Sequence, residues 1–131
     1  MTKEYTEIVT LNSTMLGKLL TSLDDKVVSW FDSILSTENV KKFFANEELV
    51  DTVNIFFRND LNIIRASKEA LVHRNTMIYR LEKIKKLLGL DIKKFEDAVT
   101  LQIILLNQKL KDAKQKRVHK DSKKLTIQEL C

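Results

Sequence analysis

Apolar side chains recur at helical spacing along most of the chain. Leu16, Leu19, Leu20 and Leu23 form one group, and Val27, Val28, Phe31, Ile34 and Leu35 form the next. This is the repeat of helices that turn one face to a core. Ser22 to Asp25 reads as the join between them, with Ser22 or Asp24 as a cap. Thr37, before Glu38, Asn39 and Val40, can cap a short helix that buries Val40, Phe43 and Phe44. Asn46 then caps a helix over about 47–58, because its side-chain oxygen can accept an orphan N–H while Glu47 and Glu48 sit at the positive helix end. That helix is expected to bury Leu49, Val53, Phe56 and Phe57 and to stop at Asn59-Asp60. Asn62 caps a short helix over about 63–71, and within three residues another begins, over about 74–88, ending at Gly89. A last helix starts near Lys94 or Phe95 and carries Ala98, Leu101, Ile104, Leu105 and Leu110. Residues 111–124 are polar and basic with no apolar period, so the helix is expected to fray there into a flexible tail that is disordered or marginally helical.

Composition agrees with an all-α fold. The chain has 131 residues, 44% hydrophobic and 31% charged, with two Gly and no Pro. Architectures built on many tight turns need more Gly and Pro than this. The only cysteine, Cys131, can form no intramolecular disulfide. His73, His119 and Cys131 lack any ligand spacing, so no metal site is expected. With no nucleophile triad, phosphate loop or dinucleotide fingerprint visible, we expect no enzyme and no cofactor. Residues 1–10 carry Lys3, Glu4 and Glu7 and lack the apolar core of a secretory signal. The longest uncharged run, Ala98 to Gln108, has 11 residues, against the roughly 20 needed to span a bilayer. A cytoplasmic protein without a membrane partner is therefore expected.

The net charge of +5 is modest, but its distribution is uneven. Residues 1–62 hold 6 Lys/Arg against 10 Asp/Glu, residues 63–106 hold 9 against 5, and residues 107–131 hold 8 against 3. Basic charge concentrated in the second half suits a module that binds a polyanion, which needs a local field more than a net charge. It equally suits a solvated helix face followed by a tail.

The stretch His73-Arg74-Asn75-Thr76-Met77-Ile78-Tyr79-Arg80-Leu81 carries the most specific chemistry. On a helix, Met77, Leu81, Ile84 and Leu88 form one buried stripe, and Asn75, Thr76, Tyr79, Arg80 and Lys83 take the opposite side. Amide, hydroxyl, phenol and guanidinium groups on the first two turns after a tight turn are what a helix-turn-helix presents to base edges in the major groove. Asn75, Thr76, Tyr79 and Arg80 are the candidate base readers. Lys68, His73, Arg74, Lys83, Lys85 and Lys86, with the basic residues from Lys109 to Lys124, are the candidate phosphate contacts. Each also has a purely structural alternative: Arg80 and Lys83 could solvate a core helix, Asn75 and Thr76 could only start it, Tyr79 could pack at the rim, and His73 could bond within the turn.

The chain resembles the C-terminal helix-turn-helix domain of the PucR and sugar-diacid-regulator (CdaR) family of bacterial transcription regulators. The likeness lies in Leu49-Val50-Asp51-Thr52-Val53, Asn59-Asp60-Leu61-Asn62, Val72-His73-Arg74-Asn75-Thr76, Tyr79-Arg80-Leu81 and Gly89-Leu90-Asp91, and continues into Glu96-Asp97 and Leu101. It implies a Fis-like helix-turn-helix, sequence-specific binding of double-stranded DNA and a homodimer, with the start of the recognition helix mapped onto His73 to Thr76 and a Tyr-Arg pair onto Tyr79 and Arg80. Ser67 replaces a usual Ala, and Ala70 a usual Leu, in the scaffold helix, so its packing is expected to be looser or shifted. The expected organisation is an N-terminal helical segment over 1–45, suited to dimerisation or to docking a protein partner through 11–45, then the DNA-binding domain over 46–110 and the tail over 111–131. The location implied is the cytoplasm, at the nucleoid. The alternative is a helical protein-interaction module in which Trp30, Phe31, Phe43 and Phe44 anchor a larger regulator or RNA polymerase, although a core role suits these rings better. Structured RNA is a weaker fit, since the usual stacking platform for single strands is missing.

Overall fold

The computed structural model describes residue 15 and residues 18–130, except the side chains of 114–130. Leu16, Cys131 and the tail side chains from Lys114 onward lie outside the described residues. Among the described residues, six helices with both ends described follow one another: α1 (Asp25–Leu35), α2 (Glu38–Ala45), α3 (Glu47–Arg58), α4 (Ile63–Ala70), α5 (Arg74–Leu88) and α6 (Phe95–Leu130). Residues 18–21 are also helical, and no strand occurs among the described residues. Among the described residues no helix is long and apolar enough to cross a membrane.

The chain divides into two compact units. One comprises residues 32–104; the other comprises the residues up to Phe31 and those from Leu105 onward. In the first, α4 packs on α5, α3 on both, and α2 on α3 and α5. Phe43, Val53, Phe56, Ala66, Met77 and Ile84 are fully buried there. Each large side chain of this kind is worth about 1.5–3 kcal/mol of burial. Helix α2 joins this packing through Val40 and Phe43, which are core residues. In the second unit, Trp30 is 59% exposed, which corrects the core role expected for it, while its ring lies 5.1 Å from that of Phe31.

Local chemistry sets the boundaries. Asn46 Oδ1 accepts the Leu49 N–H at 3.2 Å and Asn62 Oδ1 accepts the Arg65 N–H at 3.0 Å, each satisfying one of the orphan donors at a helix start. Asp24 caps α1 through the Val27 N–H at 3.0 Å. Thr37 does not cap α2 as expected; its hydroxyl donates backward to the Ile34 carbonyl at 2.8 Å. Gly89 closes α5 at φ 72°, a left-handed position that costs glycine nothing. At the end of α4 the same conformation falls on Leu71, at φ 56°, so the helix stops one residue before the expected end. The Val72 N–H then reaches back to the Ser67 carbonyl at 3.0 Å, the six-to-one bond that closes a helix. After Leu110, where a disordered or marginally helical tail is expected, the backbone is helical. Helix α6 continues to Leu130, because Lys, Gln, Ala and Asp offer no Gly or Pro to break it.

Candidate nucleic-acid interface

Helices α4 and α5, joined by Leu71, Val72 and His73, form the helix-turn-helix. A salt bridge steadies the entry to it: Arg58, at the end of α3, hydrogen-bonds Glu69 of α4, and Asn59 Nδ2 donates to the same carboxylate at 3.4 Å. The bond from Arg58 holds the Glu69 carboxyl below the usual carboxylate range, partly opposed by desolvation and aided by Asn59, and the same bond raises Arg58. In the scaffold helix, Ser67 is buried but its hydroxyl donates to the Ile64 carbonyl at 2.8 Å, so the expected departure from Ala leaves no unsatisfied polar group.

Helix α5 presents three rows. The central row, Asn75 and Tyr79 at i and i+4, continues through Glu82 to Lys86. Asn75 and Lys86 are exposed, and Tyr79 is 66% exposed, with its phenol clear of the core. One flank carries Arg74, Ile78 and Lys85, all exposed. The other carries Thr76, Arg80 and Lys83, of which only Lys83 is exposed. Beneath lie Met77, Leu81 and Ile84, the expected stripe, while Leu88 is only half-buried.

The candidate base readers therefore separate. Asn75 and Tyr79 stand open at the middle of the face, Thr76 stands half-covered at its edge, and Arg80 is turned toward α3. The Arg80 side chain is 19% exposed, with its Nε 3.4 Å from Glu48 Oε1. The candidate phosphate contacts separate too. His73 caps α5, its Nδ1 accepting the Asn75 N–H at 3.1 Å, and Arg74 follows it at the helix start, where backbone N–H groups and the helix dipole favour an anion. Lys68 is exposed on α4. Lys85 and Lys86 sit at the far end of α5, about 18 Å along its axis from Arg74. Ile78 is a surface residue that sequence reasoning missed. Its offset from the Met77 stripe is the available signal, since it falls on the row of Arg74 and Lys85.

Residues 49–106 match the family of the PucR C-terminal helix-turn-helix domain. The segment is a PucR-type helix-turn-helix domain. Its PucR-type segment contains nearly all of α3, then α4, α5 and the first turns of α6, and leaves out Asn46 and Glu48. The chain is 33% identical to the purine catabolism regulatory protein of Bacillus subtilis (strain 168), over 59% of this chain and 17% of that protein. It is 39% identical to the carbohydrate diacid regulator of Escherichia coli (strain K12), over 50% of this chain and 17% of the regulator. The chain thus spans well under a third of the length of these relatives. No solved structure gives a significant match. Among the described residues no group of His, Cys, Asp and Glu could hold a metal ion.

Proposed function

We propose that the chain is a sequence-specific DNA-binding transcriptional regulator that inserts α5, from Arg74 onward, into the major groove. The observation that carries this is the uncovered Asn75–Tyr79 row on the first two turns of the second helix of a PucR-type helix-turn-helix, the part of such a helix that reaches base edges. Asn75 pairs bidentately with adenine, Tyr79 reaches a base edge or a phosphate, and the methyl groups of Thr76 and Ile78 meet thymine. Arg74, His73 and Lys68 hold phosphates near the start of α5, and Lys83, Lys85 and Lys86 hold them farther along. Two copies related by a two-fold axis place their α5 helices about 34 Å apart and select an inverted repeat. Such a protein works in the cytoplasm at the nucleoid.

Selection from a random duplex library at about 150 mM salt tests the proposal. The intact protein is expected to enrich an inverted repeat, and a folded Asn75→Ala, Tyr79→Ala variant to lose it. Enrichment of no motif by the intact protein would refute sequence reading. A single half-site would refute the dimer. A second interpretation draws on the exposed Trp30: a helical interaction module that docks a larger regulator or RNA polymerase through residues 11–45, for which duplex binding at any salt concentration would be negligible.

A further inference from the structure

Arg80 is the one candidate reader that the fold already engages. It belongs to the flank of α5 that faces α3, one turn before the buried Ile84, and most of its side chain is covered. Its guanidinium meets Glu48 in the first turn of α3, Nε to Oε1 at 3.4 Å, with Arg80 19% and Glu48 59% exposed. Glu48 occupies a helix start, where a carboxylate is favoured. To read guanine, Arg80 would have to leave Glu48, uncover its side chain and extend past Thr76. Asn75 and Tyr79 are already exposed.

We infer that Arg80 is a positioning residue, not a reader of bases, and that Glu48 is its partner. The pair fixes the rotation of α5 about its own axis against α3, and this sets the register in which Asn75 and Tyr79 meet base edges. A small rotation of a reading helix misaligns every bidentate contact along it, so the pair governs discrimination without touching DNA. Glu48 lies outside the segment that matches the PucR-type domain, whereas Arg80 lies within it. The inference rests on the DNA-reading proposal above.

A charge swap separates the possibilities. The intact protein, Arg80→Glu, Glu48→Arg and the double variant are compared on the sequence that the intact protein selects, with melting temperature followed alongside. Arg80→Glu is expected to lose affinity on the order of tenfold, and the double variant to recover to within about threefold of the intact protein with the same preferred base at every position. If the double variant stays weak and loses its preference at one base pair, Arg80 reads that pair and the inference falls. It falls equally if Arg80→Glu lowers only the melting temperature and leaves affinity unchanged well below it. Glu48→Gln, at a more exposed position that threatens folding less, is expected to weaken discrimination at the bases read by Asn75 and Tyr79. Unaltered discrimination in that variant overturns the inference. An intact protein that selects no sequence refutes DNA reading itself, and this inference with it.

Discussion

Leu71 keeps its side chain 91% exposed while its backbone adopts a left-handed conformation, φ 56°. For a residue with a Cβ that conformation costs roughly 1–2 kcal/mol, and the exposed side chain recovers almost none of it by burial. Glycine removes the steric cost but adds freedom to the unfolded chain worth about 0.4–1 kcal/mol. Leu71→Gly should therefore stabilise the domain by about 0.5–1 kcal/mol, seen as a higher urea midpoint at unchanged slope. No gain in midpoint would show that the leucine side chain has a compensating interaction in the folded state. This turn also marks where sequence reasoning stops at the residue scale. Asn46, Asn62 and Gly89 announce their conformations through chemistry that has few other uses. A leucine in the left-handed region has no such mark, and it is forced there by the six-to-one bond between Val72 and Ser67. Arg80 is a comparable case, because a partner in another helix cannot be found from helical spacing.

At the scale of elements, α3 and α4 are joined by a turn containing two successive left-handed residues, Asp60 at φ 55° and Leu61 at φ 60°. The Arg58–Glu69 bond spans this turn. It lowers the Glu69 pKa in the folded protein, so Glu69 contributes stability that is present above the ordinary glutamate pKa of about 4.3 and is lost as pH falls through the depressed folded value. Both side chains are substantially exposed, and water and salt reduce what the pair is worth. The Glu69 carboxyl followed by NMR should titrate below a free glutamate in the intact protein and move up toward it in Arg58→Gln. A midpoint that does not move on losing Arg58 would assign the shift to Asn59 or the helix instead. Most helices at this scale are legible in the sequence, since apolar spacing and side-chain caps act within a few residues. Three features are not. Thr37 has a hydroxyl that can accept from the next helix or donate to the previous one, and it donates. Phe43 reads as buried, but nothing local tells whether α2 belongs with the helix-turn-helix or with the segment before it. The end of α6 escapes because the loss of apolar periodicity after Leu110 removes a reason to pack without removing the propensity to be helical.

For the molecule as a whole, the issue is which basic residues meet DNA. Residues 107–131 hold 8 Lys/Arg against 3 Asp/Glu, and residues 63–88 of the helix-turn-helix hold 7 against 2, so each carries the same net charge of +5. Each phosphate neutralised contributes about −0.9 to the slope of log affinity against log salt, and phosphate contacts carry no base information. If the tail binds alongside α5, replacing Lys109, Lys111, Lys114, Lys116, Arg117, Lys120, Lys123 and Lys124 by Gln makes that slope shallower by about 0.9 for each phosphate no longer neutralised, with a ceiling of about 7. The ranking of duplex sequences should stay as it was, because Asn75 and Tyr79 are untouched. Fluorescence anisotropy on the selected duplex and on a scrambled one, across a salt series, measures slope and ranking together. An unchanged slope would mean that the tail charge serves solubility or another partner and that α4 and α5 alone meet the phosphates. A shallower slope with an altered ranking would mean that the tail reads sequence or groove shape, and the reading surface would then extend beyond the PucR-type domain.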